Sequence, residues 1–343
     1  MSFAESLANA FLTLPAEGYR AVQKVREKAY SMGLFQSRRA PVPVISVGNL
    51  IMGGSGKTPL VICLAEMLLE MGMRPAVVSR GYRGTNREPY LVVGEGTRSG
   101  PTVGPSVAGD EPYLIAQRLP DIPVVIGRIR IHPVFAACQL FSIDAVILDD
   151  GFQHMALGRD LDIVLINGFE DRMFPLGRLR EPLSALRRAD MVVLVGLGVS
   201  IPGPAQRYTQ GLPVFSCCQN PVGLVSDPSS PLVSLSVLEG RPVLLASAIA
   251  NPERFRDTAR ELGWKILDHR IFPDHHVITD SELRSILTQW EEATVVVTEK
   301  DWVKLPQWFK NTGRVRALRI ELVFPDKEAF RRTILGLITD RSC

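Results

Sequence analysis

The sequence predicts an α/β fold: a mostly parallel sheet with helices on both faces, joined by a short linker to a second, smaller α/β domain. Three observations predict it. Apolar, β-branched runs without in–out alternation are spaced by helical patterns, which is how strands covered on both faces read. One such run, Val42–Val47, passes through a glycine-rich turn directly into a helical pattern. A Pro-, Gly- and Ser-rich stretch at 201–240 then separates two alternations of this type. A chain of 343 residues can supply two cores, and 46% hydrophobic with 22% charged residues is a globular composition.

The N-terminal segment shows helical spacing in two pieces. Leu7, Phe11 and Leu14 form the first, and Pro15 suits the first turn of a second that carries Val22, Val25, Ala29 and Met32. Arg20, Lys24 and Lys28 make a basic row on another face. The pattern fits a helix on an anionic membrane surface and equally an amphipathic helix packed on the domain. Strands are expected at Val42–Val47, Pro75–Ser79, Val124–Ile126, Ala145–Leu148, Ile163–Ile166 and Met191–Val195, with helices at 58–71, 110–119, 130–140 and 182–188. Beyond the 201–240 connector come strands Val243–Ala246, Lys265–Leu267, Thr294–Thr298 and Val315–Ile320, helices at 252–262 and 280–291, and a last helix at 326–338 able to pack on either unit. The expected division is 1–35 membrane-associating helices, 36–200 core, 201–240 connector and 241–343 smaller lobe.

A net charge of +3 is too small to argue for nucleic acid, and the excess of basic over acidic residues in 1–40 already equals it. Five scattered cysteines, Cys63, Cys138, Cys217, Cys218 and Cys343, have no metal spacing and read as reduced thiols of a cytosolic protein. The first residues lack a secretory pattern, and no run of 18 apolar residues occurs to span a bilayer.

The strand–loop–helix at 44–59 carries the chemistry. Gly53, Gly54, Ser55 and Gly56 let backbone N–H groups curl around phosphate oxygens at a helix N-terminus. Lys57 is placed to reach the β- and γ-phosphates and Thr58 to hold Mg²⁺, with Pro59 following. Ile51 stands where the strict phosphate-loop pattern has glycine. The strand ending in Asp149 and Asp150 places two carboxylates at the sheet's carboxyl edge beside that loop, followed by Gly151, Phe152, Gln153 and His154. Together they predict a P-loop NTPase-type sheet. Asp110 and Glu111 open a helix after Gly109. Asp at such a position is commonly a cap, and it also suits a base for a substrate hydroxyl. Arg80, Arg83, Arg128, Arg130, Arg178 and Arg180 lie in loops where they could clamp phosphate or stay solvated. The Asp274-His275-His276 run lacks a further ligand for a metal, and a His that orients a carboxylate is the better reading. Lys300 and Lys304 could meet phosphate or solvent.

This set resembles the tetraacyldisaccharide 4'-kinase (lipid A 4'-kinase) family over most of the chain. The resemblance rests on Val47-Gly48-Asn49, Gly53 through Pro59, Ser79-Arg80-Gly81-Tyr82, Gly109 through Pro112, Asp149 through His154, Leu179-Arg180-Glu181-Pro182, Asp274-His275 and Thr298 through Asp301. The family's loop is the Gly-Gly-x-Gly-Lys-Thr form, so Ile51 fits it, whereas Arg83 replaces a glycine usual after Arg-Gly-Tyr. The resemblance implies transfer of the ATP γ-phosphate to the 4'-hydroxyl of a tetraacylated disaccharide 1-phosphate, with Mg²⁺, between two lobes joined by a two-stranded linker. It implies Asp110 as base assisted by His275, Lys57 and Thr58 on phosphates and Mg²⁺, and Asp149 and Asp150 at the metal. Arg80, Glu111, Arg128, Gln153, His154, Arg180 and Glu181 would line the site. It also implies a monomer held peripherally or monotopically on the cytoplasmic face of the inner membrane by residues 5–35. A soluble P-loop kinase for a small hydrophilic substrate and a nucleotide-switched binding ATPase are the alternatives.

Overall fold

The computed structural model describes residues 3–53, 56–168, 170, 172–196, 198–226 and 231–339, with side chains from residue 12 on. Gly54, Ser55, residues 227–230, Cys343 and the side chains of Leu7 and Phe11 lie outside the described residues.

The chain begins with α1 (Phe3–Ser31), β1 (Val44–Asn49), α2 (Lys57–Glu70), β2 (Pro75–Ser79) and β3 (Leu91–Glu95). Next come α3 (Pro105–Ala108), α4 (Asp110–Arg118), β4 (Pro123–Ile126), α5 (Ile131–Leu140), β5 (Ala145–Asp149), β6 (Leu161–Ile166) and β7 (Met191–Val195). The remainder is α6 (Gly203–Thr209), β8 (Val214–Val225), β9 (Pro242–Ser247), α7 (Pro252–Glu261), β10 (Lys265–Ile271), α8 (Asp280–Gln289) and β11 (Thr294–Thr298), then α9 (Glu299–Trp302), α10 (Gln307–Lys310), β12 (Val315–Val323) and α11 (Lys327–Thr339).

Among the described residues, twelve strands join one sheet in the order β10-β9-β11-β12-β8-β7-β6-β1-β5-β2-β4-β3. The expected mostly parallel α/β fold is present: among the described strands only β3–β4 and β8–β12 pair antiparallel. Strands β1, β2, β5, β6 and β7 are buried end to end, so their apolar runs show no alternation. The last helix packs on the N-terminal half, where Phe330, Ile334 and Ile338 join the core of α2, β1 and β5. A separate core around Leu244, Val295, Trp302 and Phe309 fills the C-terminal half.

Three local readings differ. Helix α1 runs unbroken through Pro15; proline removes one backbone donor, and buried Ala16 with half-buried Tyr19 anchors the continuing turn on Leu50 and Phe152. Residues 183–188 form a 3₁₀ rather than an α-helix, with Ala185 N donating to Pro182 O. Within the stretch read as a connector, β8 pairs with β7 on one side and β12 on the other, a continuous bridge between the two halves.

Candidate active site

The carboxyl ends of β1 and β5, neighbours in the sheet, set up the site. Gly56, at φ 85°, caps α2, so the glycine conformation turns the chain from loop to helix. Upstream, Met52 N donates to Arg178 O and Arg180 N to Leu50 O, so the loop entered at Ile51 pairs with residues 178–180. That pairing delivers Arg180, whose Nη1 donates to both oxygens of Asp150 at 2.9 and 2.7 Å.

Lys57 Nζ donates to Asn49 Oδ1 at 3.1 Å and stands 3.5 Å from Asp150 Oδ1. These cations hold the Asp150 carboxyl below its ordinary range against the opposing effect of burial. Its neighbour Asp149 is pushed up, first by burial and then by the charges of Glu111 and Asp150. Ser79 Oγ donates to Asp149 Oδ2 at 2.8 Å, while buried Oδ1 has no hydrogen bond among the described residues. A buried carboxylate oxygen without a donor, beside Thr58 in one cleft, fits a hard, oxygen-seeking cation such as Mg²⁺ completed by phosphate oxygens. Among the described residues no cluster of three or more His, Cys, Asp or Glu forms a cation cage by itself.

Across the cleft, Asp110 opens α4. Gly109 occupies the cap at φ 91° and no side chain caps the helix. A Cβ on Gly109 would sit 2.5 Å from Tyr82 O, so glycine lets loop 79–84 approach. Instead of capping, Asp110 Oδ2 meets His275 Nδ1 at 3.2 Å. His275 comes from the C-terminal half at φ 64°, with its N–H donating to Ala248 O and its ring edge-on to Tyr82. Lys300 Nζ lies 3.1 Å from His275 Nε2 and 3.2 Å from Glu111 Oε1. Lys304 Nζ lies 3.0 Å from fully buried Asp301 and 3.9 Å from Asp110 Oδ2. Both lysines therefore serve the Asp110–His275 corner. Lys57, Thr58, Asp150, Glu111 and His275 face one cleft of about 1000 Å³, shared by both halves of the sheet, ample for a nucleotide and part of a larger acceptor.

A family model described as tetraacyldisaccharide-1-P 4'-kinase matches residues 8–339. The chain belongs to this family. Relatives named tetraacyldisaccharide 4'-kinase include one from Syntrophus aciditrophicus, 37% identical with 94% of this chain and 91% of the relative covered. Another, from an Anaeromyxobacter species, is 40% identical over 90% of this chain and 86% of its own length. The crystal structure of LpxK from Aquifex aeolicus in complex with ATP superposes with a TM-score of 0.82 at 33% identity, covering 96% of this chain and 99% of that one. As a tetraacyldisaccharide 4'-kinase family member, the chain is an ATP-dependent kinase of lipid A biosynthesis, with ATP and Mg²⁺ as its nucleotide and metal. This sets aside the small-substrate kinase and the switched binding ATPase.

Three of the expected lining residues, and the expected base, sit differently. Arg128 is exposed after β4 and does not line the cleft. Its neighbour Arg130 is the buried one, reaching Asp150 O at 3.4 Å, with its guanidinium lowered by burial to about 10. Glu181 lies behind the cleft wall, 1% exposed, held by Arg188 at 2.6 Å and Gln153 at 3.4 Å. His154 is outside the lining too, lowered to about 4 by burial and then by Arg130, Arg159, Arg26 and Arg80. Asp110 sits just behind His275 rather than in the wall itself. Gly53, Gly56, Pro59, Arg80, Gln153 and Arg180 do line the cleft. Arg83 adopts φ 62°, the left-handed conformation that suits the glycine it replaces, and donates to Asp274 O. His275 and His276 diverge: His276 stacks on Phe272 and pairs with Glu282 at 3.1 Å.

Proposed function

We propose that the chain transfers the γ-phosphoryl group of ATP to the 4'-hydroxyl of a tetraacyldisaccharide 1-phosphate, with Asp110 as the base. The observation that carries this reading is the Asp110–His275 contact between the two halves, with His275 in the wall of the cleft that holds Lys57 and Asp110 directly behind it. Asp110 takes the hydroxyl proton as that oxygen bonds to phosphorus and the bond to the ADP oxygen breaks. Lys57 neutralises charge on the transferring group. Thr58 and Asp149 are the groups suited to hold Mg²⁺, with Asp150 fixed beside them by Lys57 and Arg180. When bound there, Mg²⁺ would offset the charge on the phosphate oxygens. His275 and Lys304 hold Asp110. Two lobes meeting at this cleft, joined through β8 and β12, are the working unit of this reading.

The reading extends to the membrane surface. No helix among the described residues is long and apolar enough to cross a bilayer. Helix α1 contacts the protein through Ala16, Tyr19, Gln23, Arg26 and Glu27, partly by polar bonds to Gln153 and Arg188. Its outward face is the apolar one: Leu14, Val22, Val25 and Met32 are 82%, 62%, 69% and 63% exposed, beside exposed Lys24 and Lys28. An outward apolar stripe flanked by lysines suits an anionic lipid surface. Tyr19, Gln23 and Arg26 line the cleft from the same helix, so a lipid-borne acceptor would meet the catalytic groups where the helix meets lipid. We place the protein on the cytoplasmic face of the inner membrane, where ATP is supplied.

The test is transfer from ATP to a tetraacyldisaccharide 1-phosphate in detergent micelles with Mg²⁺, read as a bisphosphorylated product. ATP hydrolysis with no phosphorylated lipid would refute the acceptor. Asp110→Ala and His275→Ala should each lose roughly 10²–10⁴ in kcat with ATP affinity kept. The double variant should lose far less than the product of the two; fully multiplicative losses would separate the residues.

A further inference from the structure

The Asp110–His275 contact does not by itself say which imidazole nitrogen carries the proton. The surroundings of Lys300 do. A lysine ammonium has three N–H donors and no acceptor. Three acceptors stand around Lys300 Nζ: His275 Nε2 at 3.1 Å, Glu111 Oε1 at 3.2 Å and Asp274 Oδ1 at 3.7 Å. Glu111 comes from α4 in the N-terminal half and the other two from the loop after β10. Nε2 also has Asp274 Oδ2 at 3.8 Å, but the ammonium at 3.1 Å is the partner within hydrogen-bond reach, and facing it Nε2 presents its lone pair. The neutral ring then carries its proton on Nδ1, aimed at Asp110 Oδ2.

We propose that Lys300 is a positioning residue that fixes His275 in the Nδ1–H tautomer, so that the ring donates to the catalytic carboxylate. In this tautomer His275 cannot accept a proton from Asp110 at Nδ1; it fixes one carboxylate oxygen. Lys304 Nζ stands 3.9 Å from that same oxygen. Asp110 Oδ1 has no hydrogen bond among the described residues and is the oxygen left to meet the substrate hydroxyl. Because Lys300 also pairs with Glu111 from the opposite half, the tautomer is set where the two halves meet. With the halves apart, Lys300 would lose Glu111 and His275 would lose Asp110.

This proposal rests on Asp110 being the base, and its test separates the two. The imidazole nitrogens of the holoprotein are observed by ¹⁵N NMR, with His275 assigned by difference against His275→Gln; the chain has only five histidines. The expected spectrum has a protonated Nδ1 and a bare Nε2. Lys300→Met should move the ring toward the Nε2–H form and lower kcat ~10–100-fold, as loss of a partner orienting a functional side chain does, with KM for ATP kept. Lys300→Arg, also donor-only, should restore both. A wild-type ring protonated at Nε2 overturns the proposal whether or not any variant folds. An unchanged tautomer in Lys300→Met, or equal kcat losses in the Met and Arg variants, overturns it too. Normal turnover in Asp110→Asn would instead remove the base assignment while leaving the tautomer result standing.

Discussion

Replacing Val22 and Val25 together with aspartate should detach the protein from lipid without unfolding it. The two side chains are 62% and 69% exposed, so little of their area is needed for packing. Full burial of an aliphatic side chain is worth about 1.5–3 kcal/mol, so the exposed parts of both forfeit about 2 kcal/mol of insertion. Each new carboxylate meets an anionic surface that acts on a nearby charge by about 1 kcal/mol. The total of about 4 kcal/mol is roughly a thousandfold in partitioning, at ~1.4 kcal/mol per decade. Sedimentation with vesicles containing anionic lipid measures it, with thermal unfolding and ATP binding as controls. Surface substitutions of this kind leave stability within about 0.5 kcal/mol. Unchanged vesicle binding in the folded double variant would refute the reasoning, because no other described element combines this apolar exposure with lysines.

Lys57→Ala should cost on the order of 10²–10³ in turnover, the value of one donor aimed at transition-state charge; near-normal turnover in the folded variant would sink the phosphate-loop role. Gly48→Ala should destabilise by about 1–3 kcal/mol in denaturant titration, since its Cβ would lie 2.5 Å from Phe152 Cβ within β1; an unchanged midpoint contradicts this. His154 supplies a pH dependence. Its folded value, about 4, lies below the ordinary 6.5, so between these values the unfolded chain binds more protons and stability falls as pH drops. Partial exposure screens part of that effect. In urea titrations across this window, His154→Gln should flatten the slope, with His269, also lowered by burial, leaving a remainder. An unaltered slope would show that His154 protonates without penalty.

The parts of the sheet that could be read from sequence are those whose burial is two-sided. β2, β7 and β11 have the expected ends because an unbroken apolar run admits few alternatives. β3 escaped notice because it is a half-covered edge strand beside glycine-rich loops. β8 escaped because Pro221 and Gly223 punctuate it. Proline cannot donate to the ladder, and the strand survives with a register shift opposite Arg319 and Ile320. The phosphate loop and the two aspartates are local in sequence and were legible. The supporting cations were not: Arg130 is distinguished from Arg128 only by burial. Lys300 and Lys304 acquire their role from residues about 190 positions away. Asp110 read from its residues as either a cap or a base, and the absence of any cap bond had to be seen in three dimensions.

The route of the chain through the sheet also has a consequence for biosynthesis. The polypeptide leaves the nucleotide-binding half through β8 and returns through β12, and only then lays α11 onto the core shared with α2. Phe330, Ile334 and Ile338 are translated after all the described strands, yet they complete a core that includes residues from Ile45 to Leu165, translated long before them. The half made first is therefore finished last, leaving Leu64 and Leu68 of α2 without their full packing partners while the intervening strands are translated. A nascent chain stopped before residue 327 should remain protease-sensitive in its N-terminal half, and the kinase would become competent to grip ATP only once α11 has been made.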